Sequence, residues 1–205
     1  MTYRKTMVLL LGTVAAASLA GATPKEEAVA GLRESFSRRT PYIAGNLRSK
    51  TPEFLKLLDD NGSFRDLSEL ERKYRANGWG NPKYDYTEIQ VPVLNMLVEA
   101  FNRLQVIALD LRDGRIPAAD RSVVAENLRK AVLNYAAIEF DRGNRITVGR
   151  FHGSCFAMPH AAVAIYFQNY KDMTSGEYPE VAKALQRLAF QAWSQPLRNN
   201  ATDRD

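Results

Sequence analysis

Residues 92–114 read PVLNMLVEAFNRLQVIALDLRDG. Leu94, Leu97, Val98, Phe101, Leu104, Ile107, Ala108 and Leu111 recur at steps of three and four, the spacing that lines up side chains along one stripe of an α-helix. Pro92 suits the first turn, where its missing N–H costs nothing, and Asp113-Gly114 supplies a stop. The same period continues outward in both directions. After Asp120, which reads as a cap, Val124, Leu128, Val132, Tyr135 and Ile138 form a second stripe that ends near Asp141-Arg142-Gly143. Beyond Pro159 the residues Ala161, Ala162, Ile165, Tyr166 and Tyr170 predict a helix with a small-residue face. Pro179 opens a last helix through Val181, Leu185, Leu188, Ala189 and Ala192.

Upstream, Ala28, Leu32 and Phe36 mark a helix over 25–37. Thr51-Pro52 starts a short one containing Phe54, Leu55, Leu57 and Leu58, stopped by Asp60-Asn61-Gly62. Ser68 with Glu71 three residues on has the form of a capping box, opening a polar helix that ends before Gly78. No segment shows the strict alternation of a half-buried strand. The expected class is all-α. Successive hairpins of antiparallel helices fit an incomplete α/α toroid, and they fit a compact helical bundle equally well.

Two segments break the helical pattern and hold most of the polar and aromatic chemistry. Residues 78–88 contain Trp79, Tyr84 and Tyr86 among glycine and proline. Residues 144–158 contain Arg150, Phe151, His152, Ser154 and Cys155, with glycines at 149 and 153 that would let the backbone approach a ligand. Aromatic faces beside hydrogen-bond donors suit a sugar ring. An arginine fork suits a carboxylate or sulfate, because it donates two bonds at once. The other familiar signatures are absent: there is no phosphate-binding glycine motif, no His-Glu zinc motif and no Cys-x-x-Cys. His152 and His160 alone do not make a metal site, and the bland reading of either is a surface or structural histidine. No cofactor is implied.

The N-terminus carries an address. Arg4 and Lys5, then the apolar Met7–Leu11 and Val14–Leu19, then Ala20-Gly21-Ala22, have the three parts of a cleaved secretory signal. The apolar run is short for a membrane span. Residues 1–22 are therefore expected to be removed, leaving a helical domain over 23–205 that is secreted or periplasmic and not held in a membrane. Removal of Arg4 and Lys5 lowers the formal net charge from +5 to +3. Such mild basicity, without any long run of like charges, argues against a nucleic-acid partner. Cys155 is the only cysteine. No internal disulfide can form, and a lone cysteine most often serves as a small buried apolar residue.

At these residues the chain resembles a known family. Asn144 through Phe167, NRITVGRFHGSCFAMPHAAVAIYF, is similar to the N-terminal helical domain of chondroitin and related glycosaminoglycan lyases, polysaccharide lyase family 8. Asp60 through Leu67, DNGSFRDL, resembles the D-G-S-x-x-D element that opens that domain, and Gln191 through Arg198, QAWSQPLR, looks like a further family segment. The resemblance implies a toroid of paired helices with a chondroitin- or hyaluronan-like acidic polysaccharide across one open end. It also implies β-elimination, in which the uronate carboxylate is neutralised, the C5 proton abstracted and the 4-linked oxygen protonated as it leaves. Arg150, Phe151, His152, Ser154 and Trp79 are then the expected substrate-binding residues, with Phe151-His152 standing where many relatives have paired tryptophans. None of the family's catalytic motifs finds a match here, so no catalytic residue is assigned. The chain reads as the front part of a longer enzyme, truncated at its C-terminal side. Two other readings remain open. One is a non-catalytic exported helical protein that binds carbohydrate. The other is a toroidal glycoside hydrolase, which would want two facing carboxylates, whereas residues 144–159 contain no Asp or Glu.

Overall fold

A computed structural model of the chain describes residues 23–77, 91–141, 156–169, 173 and 177–194, with only the backbone described at 33, 36–46, 77 and 191–194. Seven α-helices lie within them: α1 (Pro24–Arg48), α2 (Thr51–Leu57), α3 (Ser68–Asn77), α4 (Val91–Arg112), α5 (Arg121–Asp141), α6 (Met158–Gln168) and α7 (Pro179–Ser194), with a 3₁₀ turn at Arg65–Leu67 leading into α3. The only strand-like feature among the described residues is an isolated antiparallel bridge between Leu58 and Phe64. The all-α class holds. The expected signal segment falls outside the described residues, and among them no helix is long and apolar enough to cross a membrane.

Helix limits follow local chemistry, not always the chemistry read from spacing. The Thr23 hydroxyl accepts the Glu26 N–H while the Glu26 carboxylate accepts the Thr23 N–H, a reciprocal cap that starts α1. That helix runs on past residue 37 to Arg48. The box expected at Ser68 and Glu71 does not form. Ser68 donates its hydroxyl to the Arg65 carbonyl, and Glu71 turns away to partners described below. Thr51 likewise donates to the Arg48 carbonyl and does not cap α2. At the end of α4, Gly114 takes φ +70°. Its N–H reaches the Leu111 carbonyl and the Arg115 N–H reaches that of Asp110, the paired bonds of a Schellman stop.

α4 lies against α1, α2, α3, α5 and α6. Its sequence predicts one apolar stripe, and in the fold it is covered on nearly every side. Leu97, Phe101, Leu104, Ile107 and Leu111 are buried, and so are Val106 and Leu109 on another face. Five neighbours explain the difference, and the polar residues caught on the covered faces need partners. Arg48 at the end of α1 pairs with Asp110 and Asp113. There desolvation pushes the Asp113 carboxyl up, but its bonds to Arg48 and Arg112 outweigh that and hold it below its usual value.

The same contacts fix directions. Arg48 joins the C-terminal ends of α1 and α4. Asn169, just past α6, donates its amide to the Ala108 carbonyl near the end of α4, so α4 and α6 run the same way. The short connection after α4 turns α5 back along it. Arg129 and Arg187 lie over the rings of Tyr178 and Phe140, which sets α7 parallel to α5. From α4 to α7 the helices thus alternate in direction. The ends of α4 and α6 and the starts of α5 and α7 lie at one side of this array; the ends of α3 and α5 and the starts of α4 and α6 lie at the other.

Candidate functional site

Midway along α5 the chain makes a tight turn against that helix. The Asp59 carboxylate accepts the N–H groups of Asn61 and Ser63, each at 2.9 Å, so the chain reverses within residues 59–63. Gly62 sits at φ +78° against α5, and a Cβ there would lie 2.5 Å from the Ala131 nitrogen and the Lys130 carbonyl carbon. Only glycine satisfies both the left-handed backbone and that approach. α5 grips the turn from its own side chains: Lys130 Nζ donates to the Asp60 carbonyl at 3.0 Å and Asn134 Nδ2 to the Ser63 hydroxyl at 3.0 Å.

Behind the turn lies a buried polar knot. Phe64 N–H donates to the Tyr135 hydroxyl at 2.9 Å, and that hydroxyl donates to Glu71 Oε1 at 2.7 Å. Glu71 Oε2 accepts from the Ser63 hydroxyl at 2.9 Å and from Asn134 at 3.3 Å. Burial, and the Glu71 carboxylate beside it, push the Tyr135 phenol well above its ordinary pKa despite the opposing Phe64 N–H. Next to the knot the Arg103 guanidinium lies between the rings of Phe54 and Phe64, 5.2 and 5.1 Å from their centroids. It bonds both oxygens of Asp66 at 2.8 Å and Glu99 at 2.9 Å. Desolvation would lower the Arg103 pKa, but the two carboxylates outweigh it and raise it. The segment from Asp60 to Asp66 therefore works as a bracket that ties α3, α4 and α5 together.

The bracket orients the helix ends. Tyr74 in the last turn of α3 donates its hydroxyl to Asp141, the last residue of α5. Arg75 donates through Nη2 to Asn134 Oδ1 at 2.6 Å. Tyr74, Arg75, Ala137, Ile138 and Asp141 line a hollow of roughly 430 Å³ between the two helices. Burial and the Asp141 bond raise the Tyr74 phenol, so it stays a donor at neutral pH. A second hollow of roughly 470 Å³, between α6 and α7, is lined by Val163, Tyr166, Phe167, Leu185, Gln186, Ala189 and Phe190, none of them charged.

Trp79, Arg150, Phe151, His152 and Ser154, the substrate-binding residues expected from sequence, all lie outside the described residues, as does Cys155. What is described is the frame on either side of them: Trp79 follows α3 by two residues, and Arg150 to Ser154 lie between Asp141 and the start of α6. His160 is exposed in the first turn of α6, where partial desolvation holds its imidazole below the usual value. Among the described residues no group of three or more His, Cys, Asp or Glu side chains could hold a metal ion. Sequence reading missed Tyr74, Arg75, Asn134 and Asp141. The available signal was their position, in the last two turns of helices that lead directly into the two aromatic segments. No protein-family model matches the chain, and no curated protein or solved structure matches it either.

Proposed function

We propose that this chain is the substrate-binding helical part of an exported polysaccharide lyase of the family 8 kind, an incomplete α/α toroid that holds an acidic glycosaminoglycan across one end. The observation that carries this reading is the Tyr74–Asp141 hydrogen bond. It joins the ends of α3 and α5, the two helices that precede in sequence the segment with Trp79 and the segment with Arg150, Phe151, His152 and Ser154. A long anionic sugar polymer requires ring faces for its C–H surfaces and guanidinium groups for its carboxylates or sulfates; Trp79 offers a ring in one segment, and Phe151 with Arg150 offers both in the other. The alternation of direction from α4 to α7 supports paired hairpins as the plan, and the resemblance over Asn144–Phe167 supports the substrate class.

In this reading the proton-abstracting base and the proton donor of the elimination are not supplied by this chain. It binds and aligns the polymer and helps neutralise the uronate, the step that stabilises enolate-like charge. Titration calorimetry with a chondroitin hexasaccharide tests it. Arg150→Ala weakens binding by ~1.5–3 kcal/mol, the usual worth of hydrogen bonds to a charged group, and more at low salt than at high. Arg150→Lys restores only part, since an ammonium cannot make the forked contact. The chain alone yields no unsaturated uronate from chondroitin or hyaluronan. Unchanged affinity in a folded Arg150→Ala protein would remove this segment from the site, and release of unsaturated product would show that the catalytic groups are present after all.

A further inference from the structure

The hollow between the ends of α3 and α5 has features of a binding site that the two neighbouring segments do not explain. Its apolar wall is Ala137 and Ile138, and its polar groups are the Tyr74 ring and hydroxyl, the Arg75 guanidinium and the Asp141 carboxylate. Its volume falls in the ordinary range for small-molecule sites, about 300–1,000 Å³. The charged group is held in place. Arg75 donates to Asn134, which itself donates to Ser63 and Glu71, so the guanidinium rests on the same bracket that locks α3 to α5. One of its five N–H donors is spent on that anchor, and a planar fork fixed at one corner is well suited to meet an anion with the rest. Asp141 is fixed as well, by the Tyr74 hydroxyl, and a carboxylate accepts bonds from more than one donor.

From this arrangement we infer that the hollow is a subsite for a single acidic sugar unit. Arg75 takes the carboxylate or sulfate, Asp141 accepts from ring hydroxyls, and the C–H face of the sugar lies on the exposed Ala137. The inference rests on the reading of the chain as an acidic-polysaccharide binder, and it adds the ends of α3 and α5 to the proposed site. An arginine and a carboxylate lining the same hollow select for a ligand that brings both an anion and hydroxyl donors. A simple anion meets only half of that, and a neutral sugar meets only the other half.

The test uses the full chain, titrated with a chondroitin hexasaccharide and, separately, with maltohexaose as a neutral sugar. Arg75 is exposed, so its removal leaves the helical circular dichroism signal unchanged. Arg75→Ala weakens chondroitin binding about tenfold or more, by loss of charge-assisted hydrogen bonds, and Arg75→Lys falls between it and the parent protein. Maltohexaose binds far more weakly than chondroitin to the parent. Equal chondroitin affinity in the parent and Arg75→Ala, with Arg150→Ala impaired, overturns the subsite and leaves the proposed function standing. Impairment by Arg75→Ala with none from Arg150→Ala upholds the subsite and removes the 150 segment from the site. If the parent binds no chondroitin, or binds maltohexaose as tightly, the acidic-sugar assignment falls for both.

Discussion

The hydroxyl of Tyr135 serves two groups that would otherwise be buried without each other's help: it accepts the Phe64 N–H and donates to the Glu71 carboxylate. Tyr135→Phe keeps the ring, which stacks on Phe64 at 6.1 Å, and deletes both bonds. Chemical denaturation should show a loss of about 1–3 kcal/mol, the cost of stranding buried polar groups. The pH dependence carries the same signature. The folded phenol has a raised pKa, so the folded state retains a proton that the unfolded chain releases. The stability it contributes is complete below the unfolded tyrosine value, about pH 10, and declines as pH rises beyond it. Tyr74 behaves in the same sense. The parent protein should therefore lose stability steeply above that pH, and Tyr135→Phe, though weaker at neutral pH, should lose it less steeply. Tyr135 is legible from sequence as a core residue of the α5 stripe. The task of its hydroxyl is not, because both partners lie far away along the chain.

At the scale of elements, two glycines with similar backbone angles separate local from tertiary demands. Gly114 at φ +70° ends α4, and an added Cβ would meet nothing within 4 Å. Gly62 at φ +78° faces the backbone of α5 at 2.5 Å. Gly114→Ala should cost only the left-handed strain, about 1–2 kcal/mol. Gly62→Ala carries that strain and also pushes the turn off α5, so its cost should exceed that of Gly114→Ala, measured side by side by thermal or urea unfolding. A smaller loss at Gly62 than at Gly114 would mean that the turn docks loosely. Boundaries set by local chemistry were open to reading: the stop at Asp113-Gly114 and the start at Pro179 both hold to within a residue or so. Ser68 and Glu71 show where such reading fails. Their spacing satisfies the capping pattern, yet Glu71 is more strongly bound by Ser63, Asn134 and Tyr135. The helix marked over 25–37 extends beyond its stripe, through Pro41, a residue that ordinarily ends a helix, to Arg48.

For the whole molecule, a nearly all-buried α4 organises the rest, and the alternation from α4 to α7 brings the end of α5 and the starts of α4 and α6 to one side. Periodicity discloses the helices. It does not disclose which helix is central, because a stripe of apolar residues marks one covered face while five neighbours cover nearly all of α4. Nor does it reveal Tyr74, Arg75 and Asp141 as a group, since their proximity depends on the bracket at residues 59–66. The proposed function puts the ligand at the ends of α3 and α5. Hydrogen exchange of the full chain, read by mass spectrometry with and without a chondroitin hexasaccharide, tests that location directly. The account predicts slower exchange in peptides covering 72–90 and 137–158, with the connections at 113–120 and 169–178 unchanged. No protection at saturating oligosaccharide, or protection confined to those two connections, would contradict it.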